Sequence, residues 1–221
     1  MKVCTDSCLF GAWLAQNIQN IPLEKVLDIG AGTGLLSLML AQQKDCNINA
    51  VEIDQNASVQ AKENFESSNW KNNIKIINQS IQDFKSDYEY DLIFSNPPFF
   101  EEDLLSDDNK KNQAKHHSSL TLKELMHFIS LHLKLNGTGA LLIPYNRLEY
   151  LKLLLNDFNF GITHLTLVKQ SNNHNFFRAM VMFSRNINNI DFGSDEIIIH
   201  DSNRKYTKQF IELLKDYYLN F

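Results

Sequence analysis

The sequence predicts an α/β protein with a doubly wound, mostly parallel, seven-stranded sheet and an antiparallel late hairpin. Three observations carry that expectation. Short apolar runs alternate with helical patterns through most of the chain. A glycine-rich turn, Asp28-Ile29-Gly30-Ala31-Gly32-Thr33-Gly34, follows the first such run and opens a helix. Late in the chain, two apolar runs are joined only by the polar turn Ser171-Asn172-Asn173-His174-Asn175, which suits an antiparallel pair.

With 221 residues and 43% hydrophobic content, the chain can bury one substantial core, so a single domain over 1–221 is expected. No basic segment leads into an apolar stretch at the N-terminus, and no apolar run approaches the ~20 residues of a bilayer span. A cytoplasmic protein with no membrane partner is expected, acting as a monomer. Cys4, Cys8 and Cys46 have neither paired spacing nor a Cys/His pair beside them, so they read as reduced structural thiols and no metal is expected. The formal charge of −5 means that a nucleic-acid partner would need a local basic patch.

In chain order, Leu9, Trp13, Leu14 and Ile18 recur at helical spacing, so the first 19 residues predict an amphipathic helix with Thr5-Asp6-Ser7 as capping residues. Strands are predicted at Lys25–Gly30, Ile48–Ile53, Ile74–Asn78, Asp91–Phe94, Gly137–Ile143, Ile162–Val168 and Phe176–Phe183, with a last short strand at Glu196–His200. Helices are predicted at Leu35–Gln43, Gln55–Phe65, Thr121–Leu133, Arg147–Phe158 and Tyr206–Tyr218, with a capping box from Thr121 to Glu124. Between them, residues 100–120 carry an acidic run and then Lys110, Lys111, Lys115, His116 and His117 with no apolar period, which predicts a mobile substrate loop.

Two motifs fall at predicted strand ends, where open α/β sheets place their ligands. The first is the glycine turn, which fits D-x-G-x-G-x-G through Asp28, Gly30, Gly32 and Gly34. Its glycines leave room for a ligand against the backbone, and the next helix is expected to offer free N–H groups. Leu35 stands where a dinucleotide fingerprint needs glycine, and no Walker lysine follows. An acid at Asp28 repels phosphate but suits an ammonium group such as that of S-adenosylmethionine. Glu52 closes the second strand, where an acid can take both ribose hydroxyls.

The second motif is Asn96-Pro97-Pro98-Phe99, which ends the run Asp91–Phe94. Two prolines make a stiff loop, because neither carries an N–H and the second holds the first extended. The Asn96 amide and the Pro97 carbonyl accept hydrogen bonds, and Phe99 supplies a flat apolar face. Together they form a receptor for a planar amine. Taken alone, the tetrapeptide also reads as a strand terminator with a buried Phe.

With both motifs placed, the chain resembles the class I S-adenosylmethionine-dependent methyltransferases, whose Rossmann-like fold matches the expectation above. Asn96-Pro97-Pro98-Phe99 matches the N-P-P-[FY] motif of the branch that methylates exocyclic or amide nitrogen. More narrowly, the sequence is similar to the bacterial tRNA adenine-N6 methyltransferases acting at adenosine 37 of a valine tRNA. That likeness runs through Met1–Asp6, Gly11-Ala12-Trp13, Leu27–Gly32, Leu35-Leu36, Arg178 and Tyr206–Phe221. It implies an N-terminal helix (residues 1–22) packed on the cofactor site, with cofactor contacts from Thr5, Asp6, Asp28, Gly30, Ala31, Gly32, Gly34, Glu52, Ile53, Ser80 and Ile81. It implies a catalytic role for Asn96, Pro97, Pro98 and Phe99, and tRNA as the partner.

Two departures from the family pattern stand out. The family usually carries an aromatic and basic segment ahead of the Met-Lys-Val stretch, where this sequence opens at Met1. Ser80 stands where the family commonly places an acid for the cofactor's adenine, with Asp83 one helical turn on. Lys110, Lys111, Lys115, His116, His117 and Arg178 are the candidate phosphate contacts. Competing expectations are methylation of a protein glutamine or of DNA adenine, or a non-catalytic cofactor-binding module.

Overall fold

A computed structural model describes residues 5–97, 120–185 and 194–220. In chain order the strands are β1 (Lys25–Ile29), β2 (Asn47–Glu52), β3 (Ile74–Asn78), β4 (Tyr90–Ser95), β5 (Leu133–Pro144), β6 (Phe160–Lys169), β7 (Phe176–Arg185) and β8 (Ser194–Ile198). The helices are α1 (Thr5–Asn17), α2 (Leu35–Ala41), α3 (Gln55–Glu66), α4 (Leu122–His132), α5 (Leu148–Asp157) and α6 (Lys208–Leu214), with a 3-10 turn at Tyr145–Arg147. One sheet holds the strands in the order β3-β2-β1-β4-β5-β7-β6-β8. β7 lies antiparallel between β5 and β6, which is the expected late hairpin.

The sheet has eight strands rather than seven, because β8 joins the edge beside β6 in parallel. Its residues are mostly exposed and only Ile197 is buried, so it adds a ladder with little core. β5 also starts earlier than Gly137. It leaves α4 at Leu133, and Lys134 next to it is held by the Asp91 carboxylate at 2.6 Å. A charged anchor of that kind extends a strand without adding apolar period, so hydrophobic patterning underestimates its length.

α1 is not amphipathic. Every residue from Cys8 to Ala15 is buried, because the helix is enclosed by the sheet, α2 and α6. A helix apolar all round belongs inside a core. Gly11 permits the approach to α2: a Cβ there would stand 2.6 Å from the Met39 sulfur. Trp13 satisfies its indole N–H by donating to Thr166 Oγ1 at 2.9 Å. On the opposite sheet face, α4 and α5 bury Leu125, Ile129, Leu151 and Leu155 against Ile93, Leu141 and Val181. The Thr121–Glu124 capping box forms as expected. Cys8 and Cys46 are buried thiols, and burial, then the nearby Asp45 charge, pushes Cys46 up to about 11.

Candidate functional site

β1 is flanked by β2 and β4, so the chain's winding reverses there, and ligands of open α/β sheets bind at such a reversal. The registers align the strand ends in one row. Ile29 pairs with Val51 on one side and with Ser95 on the other, and Glu52 pairs with Asn78. Gly30, Glu52 and Asn96 are therefore each the next residue outward on three adjacent strands, roughly 5 Å apart laterally. Ser95 fixes the two motif strands together by donating its hydroxyl to the Ile29 carbonyl at 2.7 Å. The two sequence motifs, 66 residues apart in that bond, share one edge.

The glycine turn is held from within. Gly30 and Ala31 both donate their N–H to the Val51 carbonyl, Gly34 donates to Ala31, and Gly32 donates to Glu52 Oε2 at 2.7 Å. These four turn amides are engaged within the protein, so the turn itself offers space rather than free N–H groups. Gly30 sits at φ +72°, and a Cβ placed on it would meet nothing within 4 Å. Gly34, at φ +84°, has the Phe65 ring against it and is glycine for packing. One glycine faces an opening, and the other faces the core.

Glu52 is 8% exposed and accepts one backbone N–H on each oxygen, from Gly32 and from Asp54 at 2.8 Å. A carboxylate oxygen has two acceptor sites, so each keeps capacity for a ribose hydroxyl. Ile53 beside it is 58% exposed, an apolar side chain standing at the site's edge. After β3, the Ser80 hydroxyl donates to Asp83 Oδ2 at 2.7 Å, which joins the two residues singled out in the sequence for the cofactor's adenine. Ile81 is buried beneath them.

Asp28 is fully buried, and Ser37 donates to its Oδ2 at 2.7 Å while Oδ1 has no partner. Burial pushes this carboxyl up to about 7; the Ser37 hydrogen bond opposes the shift and the Glu52 charge adds to it. Asn96 shows the same half-satisfied pattern. Its Nδ2 donates to Ser7 Oγ at 2.8 Å, and its Oδ1 is buried with no partner. Thr5, Asp6 and Ser7 lie in the first turn of α1, and Asp6 accepts from Arg178 Nε at 3.0 Å. Arg178 thereby ties β7 to α1, with Nη1 donating to the Phe177 carbonyl. Pro97 is described and buried, whereas Pro98, Phe99, Lys110, Lys111, Lys115, His116 and His117 lie outside the described residues.

Sequence reasoning missed three hydroxyls that hold this site: Ser7, Ser37 and Ser95. Ser95 was visible as a polar residue in an apolar strand directly before Asn96. Ser7 had no such signal because its partner is 89 residues away, and Ser37, only nine residues from Asp28, reads as an ordinary polar position on the helix after the turn.

A family model described as Methyltransferase small domain matches residues 10–159. A tRNA1(Val) (adenine(37)-N6)-methyltransferase of Cytophaga hutchinsonii is 37% identical over 223 residues, covering 100% of this chain and 92% of its own. A protein of the same name from Dyadobacter fermentans is 38% identical over 224 residues, with 100% and 92% covered. Among solved structures, a predicted O-methyltransferase from Agrobacterium tumefaciens superposes with a TM-score of 0.68 at 13% identity, covering 96% of each chain. That last likeness is one of fold.

Proposed function

Since the chain belongs to the methyltransferase small-domain family and, within it, to the tRNA1(Val) (adenine(37)-N6)-methyltransferases, we propose that it methylates N6 of adenosine 37 in a valine tRNA. The observation that carries this reading is the buried, unpartnered Oδ1 of Asn96 at the strand end beside the glycine turn. A buried acceptor left unpaired costs about 1–3 kcal/mol, and a donor brought by the substrate relieves that cost. An exocyclic amine is such a donor.

The cofactor is S-adenosylmethionine, and the residues present fit it. The space above Gly30 admits a ligand against the backbone, Glu52 has acceptor capacity for ribose hydroxyls, and Ile53 offers an apolar surface for a purine. Asp28 Oδ1 and the Ser80–Asp83 pair are the acceptors for its amino groups. When bound, this cofactor supplies an electrophilic methyl group on a positively charged sulfur.

The adenine amine is a poor nucleophile because its lone pair is delocalised into the ring. Asn96 Oδ1 accepts one N6 hydrogen and the Pro97 carbonyl accepts the other, which draws the nitrogen towards tetrahedral geometry and frees the lone pair. Phe99 stacks on the base. With the Asn96 amide held beforehand, positioning and fixed dipoles lower the barrier without a general base. The extra proton leaves N6 for solvent after transfer. A base in folded tRNA reaches the site by extrusion, which costs least in a loop such as the anticodon loop. On this reading the protein works in the cytoplasm on tRNA as a single-domain monomer, and no described helix is long and apolar enough to cross a membrane. Lys110, Lys111, Lys115, His116 and His117 contact phosphates, while Arg178 acts through α1.

Asn96→Ala tests the reading. The variant is expected to bind S-adenosylmethionine in calorimetric titration as the parent does, and to lose about 100-fold or more in single-turnover methylation of a valine tRNA transcript. Parental transfer rates in this variant would refute the assignment.

A further inference from the structure

The Asn96 amide has two chemically opposite ends, and only one of them helps an amine acceptor. An oxygen turned to the substrate accepts an N6 hydrogen; an NH2 turned there would repel the amine and offer a donor to a group that has hydrogens of its own. The amide can present either end by a half-turn about its last side-chain bond, and that terminal torsion is soft. Something must therefore choose between them. A stiff backbone does not by itself orient a terminal amide.

Ser7 contacts one end: its hydroxyl, which can donate or accept, here accepts from Nδ2. Its Oγ lies 2.8 Å from Asn96 Nδ2 across 89 residues of sequence, and Asn96 Oδ1 is left buried without a partner. The hydroxyl is itself held in place by its helix. The first turn of α1 is anchored by Arg178 Nε on Asp6 at 3.0 Å, and Tyr218 near the C-terminus lies beside Thr5 and Cys8. From Cys8 onwards the helix is buried through Ala15. Three separate parts of the chain (β7, the strand end after β4 and the C-terminal segment) thus meet on one helical turn.

We propose that Ser7 is a positioning residue for methyl transfer: it fixes the amide of Asn96 with Nδ2 turned to α1 and Oδ1 reserved for the hydrogen of the acceptor amine. The inference rests on the reading of Asn96 as that acceptor. It also gives the N-terminal helix a task beyond packing. α1 carries the group that sets the polarity of the catalytic amide, so the amide is correctly aimed only when the first turn is docked. A substrate atom without a hydrogen to donate gains nothing from an amide held this way, which makes Ser7 a determinant of selectivity for amino nitrogen.

The test compares the full chain with Ser7→Ala, Ser7→Thr, Asn96→Ala and the double variant Ser7→Ala/Asn96→Ala, using S-adenosylmethionine and an unmodified valine tRNA transcript. Ser7→Ala is expected to lower the single-turnover rate on the order of tenfold, the scale of one lost orienting hydrogen bond. KM for both substrates and the thermal midpoint stay at parental values, and Ser7→Thr, which keeps the hydroxyl, restores most of the rate. In the Asn96→Ala background, removing Ser7 has no further effect, because the amide it aims is gone. A parental rate in Ser7→Ala overturns the proposal, as does an equal loss with and without Asn96, or a loss seen only in KM or stability. Should Asn96→Ala itself transfer at the parental rate, the underlying reading of Asn96 fails, and that result is separate from anything Ser7→Ala shows.

Discussion

Asp28 carries a titration that the sequence does not show. Its carboxyl is fully buried and pushed up to about 7, against an ordinary unfolded value near 4. Below the unfolded value both states hold the proton, so its contribution is fully present. As pH rises, the unfolded chain ionises first, and the contribution is lost progressively until pH about 7, above which it is level. For the unliganded protein, Asp28→Asn removes this loss. Denaturant unfolding at pH 5 and pH 8 should show the variant gaining more at pH 8, by up to about 2–3 kcal/mol at 1.36 kcal/mol per pH unit. An equal gain at both values would mean that the aspartate is not titrating there. At this scale the sequence revealed the residue types (Asp28, Glu52, Asn96) but not their partners. Ser37 and Ser7 find those carboxylate and amide groups only through the fold.

Among the elements, the glycine turn joins two tasks that its sequence pattern does not separate. Gly34 has a left-handed φ and the Phe65 ring where a Cβ would go, whereas Gly30 has a left-handed φ with open space around it. Gly34→Ala is expected to destabilise the protein by roughly 2–4 kcal/mol through strain and overpacking. Gly30→Ala pays only the backbone strain of about 1–2 kcal/mol, yet its methyl group enters the proposed cofactor space. Its Kd for S-adenosylmethionine is expected to rise at least about tenfold, a loss read by calorimetry on protein that still melts cooperatively. If Gly30→Ala bound the cofactor as the parent does, the opening over Gly30 would have another use. The helical periodicity of α1 was legible, but its enclosure was not, because Cys8, Gly11, Ala12 and Ala15 are small residues that read as neutral on a helix surface.

Across the whole molecule, the alternation of strands and helices gave the parallel half of the sheet, and the short polar turn gave the hairpin. The edge strand β8 was legible as an apolar stretch, though its parallel place beside β6 depends on a crossover that local patterning does not encode. The motifs were legible because each sits at a strand end, and the register then sets Gly30, Glu52 and Asn96 side by side. What joins them into one site is the pairing of β1 with both β2 and β4. The most direct test of the proposed function is to incubate the protein with labelled S-adenosylmethionine and an unmodified valine tRNA transcript, and to locate the label by nucleoside and fragment mass spectrometry. The account predicts N6-methyladenosine at position 37 and no transfer to a transcript with guanosine there; label on a ribose oxygen, on a ring carbon or on another adenosine would contradict it.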